Sequence, residues 1–340
     1  MKKIDPQNER LKHQYQTFLR HTGGSDQKTI DKVFTAIRQF EESTGCKPFK
    51  KFKIDQAIAF KDWLDTARNQ RTGKPLSLAT INSTLRSVRD FIKWLSVQPG
   101  YKTAIPPNAW QYFRQPRKDA RAAQRSAPRQ VPSVEQVHRA FDAMPSATTI
   151  QKRDKALIAF LALTGARIAA VASLRIKHVD LEARHVFQDP REVNTKHAKT
   201  INTTFFPMGK DYVQVFGDYL NHLKQDLMFG PEDALFPKTK VTRGPNGFQA
   251  SGLSRDHFAT TGPLAQIVKD AFAAVQMPSY TPHTFRHMLA LHGDKRCNTR
   301  EAFKAWSQNL GHESVVTTVS AYMPVSEHTQ REIILGMADQ

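Results

Sequence analysis

A chain of 340 residues with 50 Lys and Arg against 31 Asp and Glu, a formal net charge of +19, calls for a polyanionic partner, and nucleic acid is the usual one. Its most apolar run, residues 156–166, is far shorter than the roughly 20 residues of a membrane helix, and its basic residues are spread out instead of forming an amphipathic anchor. With no apolar core near the first residues and only Cys46 and Cys297 as cysteines, the expectation is a cytoplasmic protein of a reducing compartment, without disulfides or a Cys-based zinc site.

The length predicts two domains. In residues 25–44, Ile30, Val33, Phe34, Ile37 and Phe40 recur at helical spacing, and 57–64 read as a second, short helix. After the Gly73-Lys74-Pro75 turn, a longer helix carries the stripe Leu78, Ile81, Leu85, Val88, Phe91, Ile92 and Leu95, and Pro99-Gly100 ends it. Arg86, Arg89 and Lys93 lie off that stripe. They form either a solvated face or a DNA-contacting one. Residues 1–113 thus read as a small helical domain with basic faces.

From 114 the composition changes. Arg114, Arg117, Lys118, Arg121, Arg125 and Arg129 face one acid, Asp119, and large apolar residues are scarce. We read 114–132 as a basic linker, a tether or a strap along a phosphate backbone. Ser133-Val-Glu-Gln136 is a capping box that opens a second domain, 133–340. Helical patterns follow over 152–163 and 168–174, short strands over 184–188 and 203–208, and helices again from 263 onward. The expected fold is mainly α with a small antiparallel β-sheet.

Four segments of this second half place polar groups where packing does not require them. Thr164-Gly-Ala-Arg167 delivers a cation to a helix start, where the macrodipole disfavours it unless an anion is present. Thr281-Pro-His283-Thr-Phe-Arg286-His287 puts an imidazole and a guanidinium on one face of a helix's first turn, an arrangement suited to phosphate. The pair His283 and His287 has metal-ligand spacing, but it lacks an acidic or Cys partner, so no metal is expected. Asn194 to Thr200 offers Lys196 and Lys199 between two strands. Finally, NLGHESVVTTVSAY contains His312 and Tyr322; taken alone, they read as a helix-start residue and a core residue.

In this order the segments resemble the catalytic domain of the tyrosine recombinases of the phage integrase type. TGARIAAVASL resembles the first Arg box, TPHTFRH the second, and NLGHESVVTTVSAY the His and Tyr box. TIDKVFTAIRQFEE and LSLATINSTLRSVRDFIKWLS resemble the family's core-binding helical domain. The sequence departs from the family at Ala170, where an acid is usual, and the spacing from His312 to Tyr322 is one residue longer than the commonest. Lys196 matches the family's Thr-Lys pairing, and Lys199 matches the spacing to Pro207; Lys196 is slightly favoured.

The resemblance implies a site-specific DNA recombinase of two-domain, breaking-and-rejoining architecture, working without metal, ATP or other cofactor. Tyr322 would attack a phosphodiester and hold it as a 3′-phosphotyrosine. An ordinary phenol ionises near pH 10, so roughly one in a thousand is anionic at pH 7, a deficit of about 4 kcal/mol. Arg167, Arg286 and His312 would offset it by stabilising the phosphoryl group. His283 would act as general base or phosphate ligand, and the hairpin Lys as general acid. Implied partners are double-stranded DNA sites, three further copies of the chain in a tetramer, and accessory DNA-bending proteins, with no membrane. A type IB topoisomerase and a catalytically degenerate DNA-binding regulator are the alternatives.

Overall fold

The computed structural model describes residues 5–116 and 130–337, apart from residues 25, 71, 245, 246, 324 and 326. The chain divides into two compact units, Met1–Arg129 and Gln130–Gln340. Among the described residues no helix is long and apolar enough to cross a membrane.

The first unit is built on helices α1 (Pro6–Gly23), α2 (Gln27–Ser43), α3 (Ile54–Thr66) and α4 (Leu78–Leu95). Asp5, Asp26 and Ser77 cap α1, α2 and α4 by accepting from the backbone N–H three residues on. Phe40 stacks edge-on against Phe60 and Phe113, with ring centroids 5.3 and 5.4 Å away, and the stripe from Ile81 to Leu95 is buried as its spacing predicts. Leu78, the first residue of α4, stays exposed, because the helix N-terminus overhangs the core. Helix α1 was not expected, although Leu11, Tyr15 and Leu19 recur at helical spacing and pack on the core; polar groups anchor it as well. Asn8 donates to Glu41 and accepts from the backbone of Phe49, and Lys12 reaches the other Glu41 oxygen at 2.7 Å.

The second unit opens with α5 (Val134–Asp142), whose capping box between Ser133 and Gln136 forms as the sequence predicts. Helix α6 (Thr149–Thr164) is the axis of the unit. From Ala156 to Thr164 every residue is buried, so apolar residues surround it and leave little amphipathic pattern. A four-residue helix α7 (Ile168–Val171) follows. It stops short of the predicted 174 because Ser173 turns its hydroxyl back onto the carbonyls of Ala169 and Ala170.

Strands β1 (Val179–Asp180), β2 (His185–Gln188) and β3 (Ile201–Thr204) form an antiparallel sheet in that order, with Val186 opposite Thr203. The expected strand over 203–208 is therefore displaced toward its N-terminal side. Phe205 and Phe206 leave the sheet for the core, Phe206 donating to the Leu163 carbonyl, and Pro207 has no N–H for a ladder. After α8 (Lys210–Asn221) a separate hairpin, β4 (Thr239–Gly244) and β5 (Gly247–Leu253), was not expected. Much of it is solvent-exposed, with Phe248 83% exposed, so no buried face imposes an alternating pattern.

Helices α9 (Gly262–Ala273), α10 (Pro282–Arg296), α11 (Arg300–Asn309), α12 (Val315–Tyr322) and α13 (Glu327–Gly336) complete the chain. Helix α10 meets α11 through Gly293, where a Cβ would lie 2.4 Å from Trp306 Nε1; the indole meanwhile donates to the Leu289 carbonyl at 2.9 Å. A Gly293→Ala substitution should therefore push α11 away, lowering the unfolding free energy by about 1–3 kcal/mol in a denaturant titration.

Candidate active site

Helix α6 ends at Gly165, which adopts φ +56°. A Cβ there would lie 2.8 Å from Leu289 and 3.0 Å from Leu310, so the position demands glycine on both conformational and spatial grounds. The sharp turn aims the Gly165 carbonyl at α10 and leaves Arg167 as the N-cap residue of α7. Arg167 is half-buried, and among the described residues no hydrogen bond or ion pair holds its side chain. Ala170, at the position of the missing acid, is buried in the core cluster.

Helix α10 begins with Pro282 in its first position, which suits the N–H that has no partner there. Phe285 and Leu289 lock the helix into the core, so Arg286 on the same helix is carried inward and is only 3% exposed. Its guanidinium finds partners from three distant segments. Nη1 donates to the Gly165 carbonyl at 3.1 Å, Nη2 to the Leu310 carbonyl and to His312 Nε2 at 2.8 Å, and Nε to the Tyr322 hydroxyl at 3.1 Å. These use four of the five N–H bonds of a guanidinium and leave one on Nη1.

His312 lies in the turn before α12, whose N-cap is Ser314, so it is not itself a helix-start residue. Its Nδ1 is 2.6 Å from Thr318 Oγ1, which is 2.6 Å from Ser307 Oγ; both hydroxyl residues are fully buried. Tyr322 ends α12 and is 8% exposed. Its ring stacks on His312 with centroids 5.5 Å apart, meets His287 edge-on at 4.4 Å, and lies 6.0 Å from the ring of the exposed His283. The sequence reading missed His287, Ser307 and Thr318 as site residues. His287 had a signal, since it sits one turn beyond His283 on the same helix.

The pocket is short of negative charge. Among the described residues no carboxylate forms an ion pair with Arg167 or Arg286, and a buried cation without one favours an incoming anion. Burial, together with the neighbouring Arg167, pushes the Arg286 pKa down to about 10, so it remains charged at pH 7. Burial also lowers the Arg167 pKa. For His312, burial first and then Arg286, Arg167 and His283 push the pKa down to about 4, which leaves the imidazole neutral at pH 7.

The two candidate lysines occupy different surroundings. Lys199 is half-buried and its ammonium pairs with Glu313, the residue after His312; Lys196 is exposed at the start of a short 3-10 turn, Lys196–Ala198. In the first unit, the Lys93 ammonium and the Arg114 guanidinium lie 5.3 and 5.4 Å from the Trp110 ring. Arg89 donates twice to Asp90, and Arg86 is exposed. Arg117, Lys118, Arg121, Arg125 and Arg129 lie outside the described residues.

Comparison with known proteins adds an independent line. A family model described as the phage integrase family matches residues 132–328. The tyrosine recombinase XerC of Bacillus subtilis is 25% identical over 266 residues, covering 77% of this chain and 76% of that protein. Among solved structures, the Tn1549 transposon integrase in complex with circular intermediate DNA superposes with a TM-score of 0.60 at 18% identity, over 95% of this chain and 98% of that one. A lambda integrase tetramer bound to a Holliday junction gives 0.61 at 14% identity, over 90% and 77% of the respective chains.

The depressed His312 pKa fixes a sign for stability. The unfolded chain binds a proton at this side chain near its ordinary value of 6.5, whereas the folded one resists until about 4. Stability should therefore fall as pH drops from 6.5 toward 4. A His312→Gln variant should lose less over that window in thermal melts than the parent protein.

Proposed function

The chain belongs to the phage integrase family, and from that premise we propose that it is a site-specific DNA recombinase that cleaves and rejoins strands through Tyr322. The observation that carries the reading is the Tyr322 hydroxyl, 3.1 Å from a buried guanidinium, in a pocket where two arginines have no carboxylate partner among the described residues. The family match and a relative named as a tyrosine recombinase favour this over a topoisomerase or a degenerate regulator.

In the proposed reaction the Tyr322 oxygen attacks a backbone phosphorus, a 3′-phosphotyrosyl bond forms, and the bond to the 5′-oxygen breaks. Arg167 and Arg286 bind the non-bridging oxygens, where charge builds up most. His283, exposed in the first turn of α10, accepts the phenolic proton and can pass it to solvent. His312 donates a further hydrogen bond. Lys199 protonates the departing 5′-oxygen; its pairing with Glu313, next to His312, favours it over the exposed Lys196.

The second unit, 130–340, is the proposed catalytic domain and the first a DNA clamp, with Lys93 and Arg114 steadied on Trp110 as backbone contacts. The tetramer of lambda integrase on a Holliday junction supports four copies acting on two duplexes. We place the protein in the cytoplasm, where DNA is available to it.

The test is incubation with nicked candidate-site duplexes, followed by a search for a protease-sensitive covalent complex. Tyr322→Phe should retain DNA binding and form no adduct, and Arg286→Ala should slow adduct formation by about a hundredfold or more. Relaxation of supercoils at every sequence, with no exchange between two sites, would instead support the topoisomerase. For the lysines, Lys199→Ala should fail on ordinary DNA and recover on a substrate with a 5′-thio leaving group, which needs no proton. Lys196→Ala should cleave normally.

A further inference from the structure

The hydrogen-bond chain behind Tyr322 specifies more than position. Arg286 Nη2 can only donate, so His312 Nε2, 2.8 Å away, accepts from it in this state. A neutral imidazole accepting at Nε2 carries its proton on Nδ1. That proton then points at Thr318 Oγ1, and the Thr318 hydroxyl proton at Ser307 Oγ, each across 2.6 Å. In this tautomer His312 has no proton to offer at Nε2, so it cannot hydrogen-bond a phosphate oxygen as a donor.

We propose that Ser307 and Thr318 are positioning residues that form a reversible hydroxyl relay, switching His312 between a resting, acceptor tautomer and a donor tautomer that engages the phosphate. The inference rests on the proposed role of His312 in phosphoryl transfer. When an anion draws the guanidinium away from His312, the turn opens transiently to solvent; in that open state Nε2 takes a proton from water and Nδ1 returns one to water, leaving the charge of the ring unchanged. The relay reverses with it: Ser307 donates to Thr318, and Thr318 donates to Nδ1. Within the relay only the hydroxyl hydrogens rotate, because each hydroxyl can donate or accept; the guanidinium itself shifts, since Nη2 and a protonated Nε2 would otherwise face each other as two donors at 2.8 Å.

The choice of residue types supports this. A carboxylate behind Nδ1 would lock the proton there and favour the charged ring. A backbone carbonyl would also lock it, since it only accepts. A buried hydroxyl pair satisfies the ring in both states, which matters because Ser307 and Thr318 are both fully buried and solvent is not at hand to substitute. The neighbouring Thr317 is exposed and cannot serve.

Nitrogen-15 NMR of protein labelled at histidine tests the resting state directly, without DNA. At pH 7 and without phosphate, His312 should be protonated at Nδ1 alone. An imidazolium, or a ring already protonated at Nε2, overturns the proposal. Saturating inorganic phosphate should move the proton to Nε2, and a bound anion with the Nδ1 tautomer unchanged also overturns it. In parallel, Thr318→Val should bind duplex DNA normally in a gel shift but form the covalent complex about tenfold more slowly or worse. Thr318→Ser should restore the rate. Wild-type speed in the Val variant, or no rescue by a Ser variant that melts like the parent, counts against the relay. If the parent forms no covalent complex at all, the recombinase reading fails, and the NMR result still decides the tautomer on its own.

Discussion

The burial of one guanidinium organises the second unit. Arg286 cannot reach solvent because Phe285 and Leu289 hold its helix in the core, and a charge kept from water must have its N–H groups matched. The matches come from the turn after α6, from the Leu310 carbonyl and His312, and from the phenol at the end of α12. Four segments spread over more than 150 positions of sequence therefore converge by necessity. Removing the guanidinium would leave two buried carbonyls, an imidazole nitrogen and a hydroxyl without this partner, so stability and chemistry share the same contacts.

Much of this was legible before any coordinates. The α4 stripe and the capping box at Ser133 follow from spacing and hydrogen-bonding capacity, and both form. Arg167 and Arg286 stood out as cations near helix starts, whereas His312 and Tyr322 read alone as a helix-start and a core residue and were singled out by the resemblance to the tyrosine recombinases. The core reading of Tyr322 is also partly right, since the ring is packed while its hydroxyl is bonded to Arg286.

What sequence could not show depends on closure in three dimensions. Thr317 and Thr318 are adjacent and identical in type, yet one faces solvent and the other faces His312. Helix α1 is tied through Asn8 and Lys12, residues a hydrophobic pattern discounts. The β4–β5 hairpin buries little, so nothing in its composition enforces a period. The lysine ambiguity has the same origin: motif spacing along the chain ranks Lys196 and Lys199 nearly alike, and their different burial and the Glu313 contact of Lys199 appear only in the fold.

Ala170 leaves a lasting electrical imbalance in the fold. With a methyl group where the family usually has an acid, no carboxylate among the described residues pairs with Arg167 or Arg286, and the two cations repel each other. An anion entering the pocket would offset that repulsion. Under the proposed reading, a phosphodiester entering this pocket completes the interior of the protein as well as its reaction, so that part of the grip on substrate is drawn from relief within the enzyme.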